Sequence, residues 1–213
     1  MQYKRFRFWI FFSGVFVSFL FLSCSHSANQ VKKVLKENQF YLIFTNGINK
    51  DATIIKHFNM NPNSRATHVG LLTFINNNWR VVHFLNDGNS AYKEESLKVF
   101  LESNNHSQTP QFSVWSVKNS TQFREEVNDK INRKRYRDLP YDYNFSLTNK
   151  KLYCSEFIYT LFYQIDPKIL DIQPIKRPLT PPFNYLLDQD TLHYLPADIF
   201  QHSQQVSLVY RSE

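Results

Sequence analysis

Only four of the 213 residues are glycine. With so few there is no Gly-rich loop to cradle a phosphate, so nucleotide-binding loops of that kind are excluded. Cysteine is scarcer, with two residues, Cys24 and Cys154. Internal repeats are absent, which argues against solenoid and propeller architectures. The length suffices for one domain with a sizeable core but hardly for two.

Charge is missing from one stretch, Phe8 to Leu22, which directly follows Lys4, Arg5 and Arg7. A basic start and a short apolar run have the form of a signal peptide and are too short for a comfortable membrane span. The run closes on Leu22-Ser23-Cys24, which resembles a bacterial lipoprotein processing site; an uncleaved signal anchor is the competing reading. The expectation is a signal peptide over 1–23, lipidation at Cys24, a polar tether over 24–38 running into a short helix, and one domain over 39–213. That places the domain outside the cytoplasm, anchored to a membrane of a bacterial envelope. Cys154 is then the sole thiol of the mature chain, and neither an intramolecular disulfide nor a Cys-rich zinc site can form. The formal charge of +7 falls to +4 once residues 1–23 are removed, because they hold three Lys/Arg and no acid. So modest a charge gives no reason to expect a nucleic-acid partner.

Within the domain, Gln39 to Thr45 reads as a buried strand closed by Asn46-Gly47. Ala52 to Phe58 is expected to form a short helix and Asn59 to Arg65 a polar loop. Thr67 to Ile75 and Trp79 to Leu85 are β-rich runs joined by Asn76, Asn77 and Asn78, a strong hairpin signal. A two-residue Asn76-Asn77 turn pairs Ile75 with Asn78 and puts His68 and His83 on one face as diagonal neighbours. A three-residue turn sends them to opposite faces. Gly70, between them in that register, leaves room for another group to approach. Glu94 to Glu102 reads as a helix and Phe112 to Val117 as a strand. Ser120 is placed to cap a helix carrying Phe123, Val127 and Ile131. The basic cluster from Arg133 to Arg137 suits the C-terminal dipole of that helix, or an anionic surface. Ile172 to Phe183, with four prolines, reads as a rigid connector, and Val206 to Tyr210 as a last strand.

One further helix carries the chemistry. Phe157, Ile158, Leu161 and Phe162 recur as one buried face, and Cys154 belongs to that face in the first turn. Unpaired backbone N–H groups there favour a thiolate and are placed to hold an oxyanion. A small hydrophobe filling a gap under a helix has the same pattern.

His68-Val69-Gly70, His83 on the next strand, Pro140-Tyr141-Asp142 and Tyr153-Cys154-Ser155-Glu156 together resemble the YiiX/YebB-like group. These are circularly permuted relatives of the NlpC-type papain-like cysteine hydrolases, and the resemblance spans roughly residues 39–210. It implies an α+β fold, with an antiparallel sheet of about five strands packed against the Cys154 helix. It further implies Cys154 as nucleophile, His68 as base and acid, His83 as the group orienting His68, and Tyr141 as an oxyanion donor. The Cys154 sulfur is then expected within about 4 Å of a His68 ring nitrogen. No cofactor is implied. Peptides, muropeptides and acyl lipids all fit as substrates, and acyl transfer of the lecithin–retinol acyltransferase type competes with hydrolysis. Two readings outside these are a non-catalytic binding lipoprotein and a zinc site built from His68, His83 and Cys154.

Overall fold

The computed structural model describes residues 27–47, 52–86, 90–103, 111–133 and 135–212. The expected signal peptide and Cys24 therefore lie outside the described residues. Among the described residues, no helix is long and apolar enough to cross a membrane.

The sheet is organised by the Asn76-Asn77 turn. Both residues hold left-handed conformations, with φ of 50° and 60°, the geometry of a type I′ hairpin that Asn tolerates better than other side chains. Strands β2 (His68–Ile75) and β3 (Asn78–Phe84) pair antiparallel with Ile75 opposite Asn78, which is the two-residue register. β1 (Phe40–Thr45) pairs with β2 and with β5 (Phe112–Val117), and β8 (Val206–Arg211) adds to β5. β4 (Tyr92–Ser96) pairs with β3, completing an antiparallel sheet in the order β4-β3-β2-β1-β5-β8.

Six strands stand where about five were expected, and β4 is the reason. Residues Tyr92–Ser96 are extended, and the helix α3 begins only at Leu97 (Leu97–Ser103). The apolar positions Leu97, Phe100 and Leu101 are helical and buried. Glu94 and Glu95 ahead of them lack that pattern and instead pair with the free edge of β3. The proline-rich connector likewise contains a strand, β6 (Ile175–Pro178), which forms a small hairpin with β7 (Thr191–Tyr194) outside the main sheet. Between them lies α6 (Phe183–Leu187).

Helices cover both faces of the sheet. On one face lies α5 (Cys154–Tyr163), whose Phe157 packs 5.0 Å from the Phe84 ring and whose Phe162 packs against Phe40 and Phe123. Burial of each such ring contributes roughly 1.5–3 kcal/mol. The helix α4 (Thr121–Asn132) packs beside it through Phe123, Val127 and Ile131. Its start is capped as expected, with Ser120 Oγ accepting from the Phe123 N–H at 3.1 Å. The opposite face is covered by α3 and by a helical segment, α1, over 27–32. Ala28 and Val31 of that segment are buried against Phe100 and Leu72, so the helix at the end of the expected tether is docked onto the domain. The remaining helix, α2 (Ala52–His57), sits above the N-terminus of α5, where its Ile55 lies beside Cys154 and Ser155.

Candidate active site

Everything that follows sits where β2 starts and β3 ends. Pairing between these strands runs from Ile75–Asn78 to Leu71–Val82 and stops there. Beyond that point His83 Nδ1 lies 2.8 Å from His68 Nε2. Both imidazoles are buried and pack against Phe100 of α3, His83 edge-on at 4.9 Å. Gly70 makes this approach workable. A Cβ on Gly70 would lie 2.6 Å from Val81 Cγ1 and 3.4 Å from His83 Cβ, so any larger residue would push the two strands apart.

Glu95 completes the series, with Oε2 3.4 Å from His83 Nε2. The His83 N–H holds the Glu95 carboxyl below its usual range, against the opposing effect of partial burial. At this distance the contact is electrostatic rather than a formed hydrogen bond, and because a carboxylate can only accept it favours the His83 proton on Nε2. Its Nδ1 is then a bare acceptor, His68 donates through Nε2, and His68 Nδ1 is left unprotonated. The order Glu95–His83–His68 thus favours the tautomer that a general base needs. Glu95 was missed from sequence because its segment reads as helix. In β4, Val81 faces Glu95 and His83 faces Lys93, which makes Glu95 a diagonal neighbour of His83.

Cys154 begins α5 and is 2% exposed. It approaches from the face opposite the histidines, in the apolar cluster with Val69, Leu71, Val82 and Phe84. Its sulfur meets the backbone N–H of Val69, the residue after His68, together with the amides of its own helix start. Burial nevertheless dominates and pushes the thiol up. The expectation that the helix start favours a thiolate is therefore corrected: desolvation outweighs the N–H groups. Burial, followed by the neighbouring His83, holds His68 well below the usual imidazole range. The resting pair is a neutral thiol and a neutral imidazole. Among the described residues no hydrogen bond joins them, because they flank the start of β2 from opposite sides.

The segment before α5 is tied to Tyr141. Tyr141 and Leu152 form a parallel bridge, with Leu152 N–H donating to Pro140 O and Asp142 N–H donating to Leu152 O. Tyr141 is buried, two residues back along this bridge from Cys154. Asp142 accepts from the Asn144 and Ser146 amides. Those bonds span Phe145, which is held at φ 52°, a strained conformation for a bulky residue. Phe145 packs on Tyr153 and joins Ile55, Leu195, Pro196 and Ala197 around a slot of about 20 Å³ in front of Cys154. Tyr153 Oη accepts from the Leu195 N–H, and Ser155 Oγ donates to the Leu195 carbonyl, both at 2.7 Å. The loop after β7 is thereby fixed against the nucleophile.

Tyr153, at the N-cap, offers no side-chain cap. Glu156 replaces it by accepting the Tyr153 backbone N–H, the returning half of a capping box. Burial first, and then the nearby Asp142 carboxylate, raise Glu156 to about 8.

Residues 42–210 match the family of permuted papain-like amidases, YaeF/YiiX, family C92. The chain belongs to this family. It is thus a cysteine hydrolase by kind. No curated protein matches the sequence. Among solved structures it is similar to one described as the metalloprotein YiiX from Escherichia coli O157:H7, with 17% identity and a TM-score of 0.61. That match covers 81% of this chain and 96% of the other, and at such identity it speaks for the fold alone. Among the described residues, no group of three His, Cys, Asp or Glu side chains is arranged to hold a metal ion. The basic cluster is engaged locally: Arg133 pairs with Asp129, and Arg137 pairs with Glu94 and lies over the Tyr92 ring.

Proposed function

We propose that the chain is an exported, lipid-anchored amidase or peptidase that works through Cys154, His68 and His83 and a thioester acyl-enzyme. The observation that carries the catalytic part is the Glu95–His83–His68 series, which favours an unprotonated His68 Nδ1 one residue from Val69, whose backbone N–H meets the Cys154 sulfur. In this scheme the two side chains meet around the start of β2, where the sheet ends; there His68 takes the thiol proton and the sulfur attacks the substrate carbonyl. The negative oxygen is held by the Cys154 N–H and by the Tyr141 hydroxyl. His68 then returns the proton to the leaving amine. Water releases the acyl group, again with His68 as base; an acceptor alcohol or amine in place of water makes the enzyme a transferase.

A buried neutral thiol suits this scheme. It is protected from oxidation at rest and ionises only when substrate and His68 are in place. Export and anchoring rest on the Lys4–Arg7 start, the Phe8–Leu22 run and Ser23-Cys24. They put the enzyme at an envelope membrane, with peptides, muropeptides and acyl lipids as accessible substrates.

The deciding experiment combines electrophilic labelling of Cys154 with a screen of peptide, muropeptide and lipid substrates. The expected result is a covalent adduct on Cys154 alone, and an acyl adduct trapped at the same residue with one substrate class. Turnover that survives Cys154→Ala would end this reading. Turnover that appears only with added metal ion would end it as well.

A further inference from the structure

A cavity lies apart from Cys154, at the same end of the sheet. It measures about 440 Å³ and is walled by Thr45 at the end of β1 and by Ala66, two residues before His68. Thr45 is paired with His68 across the strands, so cavity and base share one backbone wall. A second connection runs through the loop after β7. Ala197 lines the Cys154 slot, and the adjacent Asp198 accepts from the Met60 and Asn61 amides at 2.9 and 3.0 Å. That bond pair fixes the loop whose Asn61, Asn63 and Arg65 line the cavity.

The lining is polar and carries charge of one sign. Arg65 and Arg211 both border it, and among the described residues no Asp or Glu does. Arg65 donates to Gln111 Oε1 at 3.0 Å, and neither arginine has a carboxylate partner among the described residues. Two guanidinium groups over a floor of side-chain amides suit a planar anion, which a guanidinium can grip with two parallel bonds. The amides of Asn61, Asn63 and Gln111 supply paired donors and acceptors of the kind a peptide group needs. Among the described residues, lysine and a Gly-rich backbone nest, the usual partners of a phosphate, are both missing from the lining.

We propose that this cavity is a subsite for a substrate carboxylate, binding the peptide-like part of an amide substrate whose scissile bond lies at Cys154. The proposal rests on the amidase reading. It assigns specificity to Arg65 and Arg211, neither of which takes part in the chemistry.

Two measurements test it. The first uses two amide probes that differ only in ending in a free carboxylate or in a carboxamide. The wild type is expected to favour the carboxylate in kcat/KM, mainly through KM. In Arg65→Gln/Arg211→Gln the preference should collapse by about fivefold or more, the combined worth of two charge-assisted contacts at an exposed site. An equal loss on both probes, or an unaltered ratio, would overturn the proposal. The second is calorimetric titration of the Cys154→Ala protein with N-acetyl-dialanine, with its carboxamide and with inorganic phosphate. Binding of the carboxylate alone, abolished by the double arginine change, supports the subsite even if the amidase reading fails. Equal binding of the carboxamide, tighter binding of phosphate, or no binding of any probe would refute it.

Discussion

Gly70 and His83 stand side by side with no space for a methyl group between the strands that carry them. A Cβ on Gly70 would come within 3.4 Å of His83 Cβ and 2.6 Å of Val81 Cγ1. Gly70→Ala is therefore expected to destabilise the protein by about 1–3 kcal/mol through overpacking. It should lower activity beyond that, because His83 is displaced from His68. Denaturant midpoints and kcat/KM, measured on the fraction that remains folded, separate the two effects.

The bond between His68 and His83 assigns them unequal roles. His68→Ala should reduce kcat/KM by about 10²–10⁴-fold, the usual worth of a positioned base. His83→Ala should cost roughly a hundredfold by misplacing that base. His83→Gln, whose amide oxygen can still accept from His68 Nε2, should recover part of the loss. Full activity in His83→Ala would remove the orienting role.

Glu156 gives a pH signature in stability. Its folded pKa of about 8 lies above the ordinary value of 4.5, so the folded state holds this proton more tightly than the unfolded chain does. The resulting stability is fully present below about 4.5 and is lost as the pH rises through about 8. Glu156→Gln should flatten the decline in Tm across that window and still accept the Tyr153 N–H through its amide oxygen. An unchanged Tm profile in the variant would show that Glu156 does not titrate there.

The anchoring proposal is tested at Cys24. Cys24→Ala should leave the precursor unprocessed, or release the domain from the membrane fraction. Mass spectrometry that finds Met1 on the normal mature chain would defeat it.

Much of the site was legible locally. Two asparagines between β-branched runs imply a tight turn, and the two-residue choice put His68 and His83 on one face because side chains alternate along a strand. The Ser120 cap and the buried face of α5 followed the same way, from contacts within a few residues of each other. Both depend on short-range geometry that period and capping chemistry encode directly.

What the tertiary structure decided depends on elements far apart in the chain. Glu95 reaches His83 only because residues Tyr92–Ser96 take the open edge of β3, a pairing that overrides the helical pattern just behind it. The state of Cys154 was misjudged from sequence for a related reason. A helix start supplies N–H groups locally, but burial is imposed by Ile55, Phe145 and Leu195 from three other segments. Desolvation by those neighbours, which no local pattern carries, prevails over the helix start and keeps the sulfur a thiol.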